Sequence, residues 1–273
     1  MPDLFKTLAE AVALIEDGAS LAVTKFNPMA GVRELVRQRR AGLHLIGVPT
    51  AGFAVDLLIA AGCARSVETG AFVLGGHGPA VNAMRAIKEG RVVPVESACP
   101  LIELQLSAGA SGLSFTPVPG LFGSDIMARR AELRSMTDPY DARFDIVIAP
   151  ALRPDAALIH GLRADRSGNI VTTVHNEDRL VAQAARIVVA TVEAVRDDAL
   201  QTLAADEQVI PALYFDAVAV APGGAWPLAC PGHYPADDAA LKSYLDASRS
   251  ADAMAAYVDA VRAGPSDGDG GRP

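Results

Sequence analysis

The chain has 273 residues, 51% of them apolar and 21% charged, which is enough to bury a full core and excludes disorder for the bulk of it. Its 24 basic and 32 acidic residues leave a net charge of −8, so no global positive field gathers nucleic acid or anionic lipid. Aromatic residues make up 5%, with a single tryptophan, Trp226, which argues against stacking platforms for single-stranded bases and against an aromatic sugar cleft.

Cys63, Cys99 and Cys230 are odd in number and far apart, so they form no disulfide framework. They lack the neighbouring ligands of a thiolate zinc site, and each is expected to be a small buried hydrophobe. No H-x-x-x-H or H-E pairing occurs, and no metal is expected. Asp3, Glu10 and Glu16 interrupt the apolar residues of the first segment, which is therefore not read as a signal peptide. No stretch approaches the ~20 apolar residues of a membrane span, so the expected compartment is the cytoplasm.

Leu4, Leu8, Val12 and Ile15 recur at helical spacing and predict a helix over 3–17, stopped by Gly18. SLAVT (20–24) reads as a strand, followed by a helix through Val32, Leu35 and Val36. The pair repeats as strand 43–48 and helix 53–62, then as strand 72–74 and helix 78–90, with Pro79 expected at the first helical position and Gly90 at the end. RVVPVES (91–97) is the next strand. Prolines and glycines punctuate 105–145, which reads as loop-rich. Strands are predicted at 145–150, 156–160, 186–192 and 213–222, and one terminal helix pattern at 237–262. Such alternation defines an α/β protein with a mostly parallel sheet flanked by helices. Residues 1–263 read as a single domain and 264–273 as a disordered tail.

The stretch LGGHGPAVN (74–82) joins a predicted strand to a helix. Gly75, Gly76 and Gly78 would let the backbone approach a ligand beside His77 and Asn82, and the helix start would offer N–H groups to an anion. Val81 stands where a dinucleotide fingerprint needs its third glycine, so NAD is disfavoured; the alternative is a turn that holds nothing. His160 follows AALI and falls near a strand end, where doubly wound sheets gather ligands; the favoured alternative is a neutral structural histidine bonded to backbone. Glu96 closes VVPV, and a partly desolvated carboxylate there can act as base or nucleophile; the alternative is a capping or ion-paired acid.

Longer strings then fall into a familiar order: PMAGVREL (28–35), GPAVNAMRAIKEG (78–90), SAGASGLSFTPV (107–118), APALRPDAALIHGLRADRSGN (149–169), RIVVATVEAV (186–195) and FDAVAVAPGGAWPLACPGHY (215–234). Together they resemble the alpha subunit of family I CoA-transferases, closest to the A-type subunit of glutaconate CoA-transferase, over roughly residues 11–260. The resemblance implies the CoA-transferase and sugar-isomerase-like fold and exchange of CoA between an acyl-CoA and a free carboxylate through a glutamyl-CoA thioester. It implies coenzyme A as a substrate, with no permanently bound cofactor. It also implies a beta subunit, in a heterodimer or heterotetramer, that carries the main nucleophilic glutamate. Family alpha subunits commonly carry G-G-F after the first strand; here Thr24, Lys25 and Phe26 stand there, and Lys25 could supply a positive charge to a phosphate or carboxylate. Glu96 with Ser97 resembles the E-x-S stretch of glutaconate-type subunits, which makes Glu96 the candidate catalytic residue of this chain. In related ring-opening hydrolases an alpha-subunit glutamate of this region is catalytic, so a subunit of a cyclic-CoA-ester hydrolase is one alternative and a non-catalytic CoA-binding subunit the other.

Overall fold

The computed structural model describes residues 4–24 and 28–264. Its elements are, in chain order, α1 (Leu8–Val12), β1 (Ser20–Thr24), α2 (Met29–Arg37), β2 (Leu43–Val48), α3 (Gly52–Ala60), β3 (Ala64–Thr69), α4 (Val81–Lys88), β4 (Val93–Glu96), α5 (Cys99–Ala110), β5 (Phe115–Val118), α6 (Asp125–Arg129), β6 (Arg134–Thr137), β7 (Asp145–Pro150), β8 (Ala156–Gly161), β9 (Arg163–Ala164), β10 (Ile170–Thr173), α7 (Asp178–Ala184), β11 (Ile187–Val192), β12 (Glu207–Ile210), β13 (Ala217–Val220), α8 (Asp238–Ala247) and α9 (Ala251–Ala263).

Seven strands form a wholly parallel sheet in the order β13-β11-β8-β1-β2-β3-β4. Side chains of a strand alternate between faces, so Leu21 and Val23 of β1 meet one helical layer while Ala22 meets the other. The first layer holds α1 to α4 together with α8 and α9, whose Leu241, Tyr244, Met254 and Val258 join its core. The second holds α5, α7 and part of a small antiparallel sheet, β12-β10-β9. A third sheet, β5-β7-β6, packs Val118, Val147 and Ala149 on Leu101 of α5.

The α/β class and the central parallel sheet match the expectation from sequence; several elements differ in detail. The first helix spans only Leu8–Val12, because Thr7 closes a reciprocal cap with Glu10 and the chain turns before Ile15. Residues 72–74 are not a strand. The third strand is instead ARSVET, whose buried Ser66 and Glu68 are satisfied by His44 and Arg130. Helix α4 starts after Ala80, so Pro79 lies outside it. The strand at Asp145–Pro150 belongs to the third sheet and pairs antiparallel, and the loop-rich stretch holds the end of α5 together with β5, α6 and β6. The terminal pattern is two helices, parted where Ser250 accepts the Ala253 N–H and starts a new one. Apart from Gly264, the expected tail lies outside the described residues. Among the described residues no helix is long and apolar enough to cross a membrane.

Candidate active site

From β1 the chain builds the sheet outward to β4, then returns through β8 to β1's other side. Ligands of open parallel sheets gather beyond the strand ends at such a reversal. A cavity of about 710 Å³ lies there, lined by Thr50 and Phe53 after β2, Val73–His77 before α4, His160 at the end of β8, Thr172 and Thr173 of β10, and Leu228–Pro231. Three of the chain's five histidines, His77, His160 and His175, line it. Among the described residues its lining includes no lysine or arginine and a single carboxylate, the exposed Asp206.

Beneath the wall lies a buried polar cluster. His160 is 5% and Glu193 6% exposed. His160 Nε2 donates to Glu193 Oε1 at 2.9 Å, and its Nδ1 meets Thr191 Oγ1 at 2.8 Å. The same carboxylate accepts Tyr234 O–H at 2.5 Å and the backbone N–H groups of Gly223 and Gly224 at 2.6 and 3.1 Å. Burial by itself would raise the pKa of Glu193, but the His160 and Tyr234 hydrogen bonds, the imidazole charge and the Gly223 amide overturn it and hold the acid at about 2. Burial and the adjacent Glu193 push the Cys230 thiol up to about 12. Gly224 is required by close approach, since a Cβ there would lie 2.5 Å from His160 Cε1 and 2.7 Å from the Ala221 carbonyl. Atoms of His160, Glu193 and Cys230 lie within 4.8 Å of one another, a spacing a metal ion could use. In this arrangement His160 Nε2 and both Glu193 oxygens are engaged by hydrogen bonds instead.

A second buried carboxyl ties the end of β1 to the cavity wall. Asp178, fully buried, accepts Thr24 Oγ1 at 2.8 Å, Thr172 Oγ1 at 2.5 Å and the Asn176 amide at 3.2 Å. Thr172 and Asn176 both line the cavity. Burial raises the Asp178 pKa against these neutral donors.

Of the residues singled out in the sequence, Gly75, Gly76 and His77 line the cavity with His160. Gly78 sits one residue further on at φ +95°, a left-handed conformation suited to glycine, and its carbonyl accepts the Leu74 N–H at 2.7 Å. Asn82 lies in the helical layer, where it donates to Asp56 at 2.8 Å and Ser248 at 2.9 Å. Glu96 and Ser97 stand outside the lining, at the end of the edge strand β4. Arg129 pairs with the Glu96 carboxylate, while Arg130, anchored on buried Glu68 at 2.5 Å, reaches the Glu96 carbonyl at 3.2 Å and Ser97 Oγ at 3.3 Å. Lys25 and Phe26 lie outside the described residues. Glu193, Tyr234 and Asp178 escaped the sequence reading. The signal for Glu193 was present: RIVVATVE ends a β-branched strand on a carboxylate, the same feature that drew attention to Glu96.

A parallel sheet with a cavity at its reversal point is a scaffold of α/β enzymes, and here the family is settled by comparison. The chain belongs to the coenzyme A transferase family, whose model matches residues 5–221. It is 29% identical to the A-type subunit of 3-oxoadipate CoA-transferase from Pseudomonas knackmussii over 96% of this chain and 94% of that one. It is 30% identical to the cholesterol ring-cleaving hydrolase IpdA subunit of Mycobacterium tuberculosis over 91% and 89%. A crystal structure of a variant of the decarboxylase AibA/AibB superposes with a TM-score of 0.80 at 33% identity, over 93% of this chain and 98% of that one. A transferase, a hydrolase and a decarboxylase thus share this fold, and the reaction must be argued from the site.

Proposed function

We propose that this chain is the alpha subunit of a heteromeric acyl-CoA:carboxylate CoA-transferase, with coenzyme A as a substrate and no permanent cofactor. The observation that carries the reading is the lining of the cavity. It has room for a ligand and apolar walls in Phe53, Leu74, Leu162 and Leu228, yet its described residues supply no poised nucleophile. The Cys230 thiol is held protonated, Asp206 is solvated, and Glu193 is saturated by donors. A covalent carboxylate step therefore needs a glutamate from a second chain. In that step the partner's carboxylate attacks the thioester carbonyl and CoA thiolate leaves, giving a mixed anhydride. The thiolate then attacks the glutamyl carbonyl and releases the first acid; the second acid reverses both steps. The cavity would hold the acyl portion, since its described lining offers no cation for the CoA phosphates.

A second reading, a subunit of a hydrolase opening a ring on CoA, is favoured by the identity to the IpdA subunit, together with Glu96 at a strand end beside Arg129. Co-expression with the product of the adjacent reading frame, followed by CoA exchange assays over short and medium acyl-CoA donors, tests the first. Carboxylate-dependent exchange is expected, and a purified heteromer inert toward all donors overturns it. Glu96→Gln separates the two: a transferase should keep its rate within about threefold, whereas a hydrolase using Glu96 should lose about a thousandfold or more.

A further inference from the structure

We infer that Glu193 is a positioning residue for the cavity: seated on the amides of Gly223 and Gly224 and tied to His160 and Tyr234, it locks segment 221–237 in place as the cavity's wall. Glu193 is not itself in the lining, whereas the segment it holds supplies Leu228, Cys230 and Pro231 to it. The segment has no regular secondary structure of its own between β13 and α8, so its shape depends on such tethers. On one side Glu193 draws in its two glycine amides, and Tyr234, which accepts the Ala225 N–H at 3.0 Å, folds the far end back onto the same carboxylate. On the other side Arg33 of α2 donates to the Trp226 carbonyl at 2.5 Å and lies 5.4 Å from the indole ring. Two adjacent amides, one on each oxygen of the carboxylate, form a concavity that favours an anion. Here the chain fills it with its own carboxylate, and that internal ion sets the register of the wall over His160. The ligand's fit should consequently depend on a charge that never touches it. Only the kinetic consequence rests on the proposed CoA chemistry.

Three cysteines and one tryptophan make the inference testable without activity. Cys230 and Trp226 lie in the held segment; Cys63 is equally buried but belongs to the α3–β3 core, and Cys99 is half-buried. The full chain and its Glu193→Gln variant would be treated with iodoacetamide, and labelling followed at each cysteine by peptide mass. Release of the segment should speed Cys230 labelling about tenfold or more with Cys63 unchanged within about twofold, and Trp226 emission should move to longer wavelength. Equal acceleration at Cys63 and Cys230 would show general loosening and overturn the inference, as would no change at either. If Glu193→Gln does not fold, Tyr234→Phe, which removes one donor to Glu193 and the acceptor of the Ala225 N–H, should give the same split at about threefold, and its absence overturns the inference too. In the active heteromer the variant should raise KM for the acyl-CoA about tenfold while kcat stays within about threefold; an equal fall in kcat would contradict a positioning role. A heteromer without CoA activity that still shows the cysteine split would sink the proposed function and leave the anchor standing.

Discussion

Two buried carboxylates, Glu193 beneath the cavity and Asp56 in the helical layer, have much in common. Each accepts a tyrosine hydroxyl, from Tyr234 at 2.5 Å and Tyr244 at 2.6 Å, and each accepts a backbone N–H. Their proton affinities nonetheless move in opposite directions. Asp56 is bonded only by neutral donors, Tyr244, Asn82 and the Ala83 amide, and burial prevails, raising its pKa. Glu193 has His160 and two glycine amides as well, and these reverse the effect of burial. Desolvation is thus common to both sites, and the charge and number of donors decide the outcome. The acid with the depressed pKa is the one next to the cavity; the other clasps α8 to α3 and α4.

The comparison is broken most directly by replacing each acid with its amide. Glu193→Gln puts an N–H₂ among donors, and urea unfolding should register a loss of about 3 kcal/mol. Asp56→Asn removes a charge that burial already opposes and should cost about 1 kcal/mol; equal losses would void the distinction. The pH dependence sharpens it. A depressed pKa gives stability that is complete above the unfolded value near 4.5 and is lost as pH falls toward about 2, a contribution of about 3 kcal/mol from Glu193. Asp56 has the opposite sign: its contribution is complete below its unfolded value near 3.8 and fades as pH rises through the raised one. Denaturation of the wild type and Glu193→Gln from pH 6 to 2 should therefore show a flatter acid limb in the variant. A further contrast concerns the wall itself. Gly224→Ala forces a methyl against His160 and should cost about 1–3 kcal/mol in thermal unfolding, whereas Gly76→Ala meets open space and should change stability by less than about 0.5 kcal/mol. A small effect is also expected at Glu96→Gln, where loss of an exposed ion pair should alter stability by under about 0.5 kcal/mol.

Much of the sheet was legible because its central strands are apolar throughout and separated by helix-length segments. Strand β8 is buried at all six positions, and its sequence, AALIHG, contains one polar side chain. Strand β3 was hidden by the exposed Arg65 and by Ser66 and Glu68, whose burial makes sense only with His44 for Ser66 and with Arg130, 62 residues on, for Glu68. The glycine-rich turn at 74–78 announced itself locally. The Glu193 cluster could not, since Tyr234 is 41 residues away and His160 33, and only the order of β8 and β11 in the sheet brings them together. Asn82 illustrates the converse: a residue in the first turn of a helix was read as facing a ligand, but α3 places Asp56 within its reach.

The position of β1 has a consequence for how the chain is made. It is the middle strand of the large sheet, and one neighbour, β2, leaves the ribosome soon after it, whereas Ser20 finds its partner Asp155 only 135 residues later. The Asp56 clasp waits longer still, for Tyr244, 188 residues on. A nascent chain that stops short of β8 carries half a sheet with one bare flank, and one that stops short of α8 an acid without its hydroxyl; the first is the stage at which a holding chaperone would matter most.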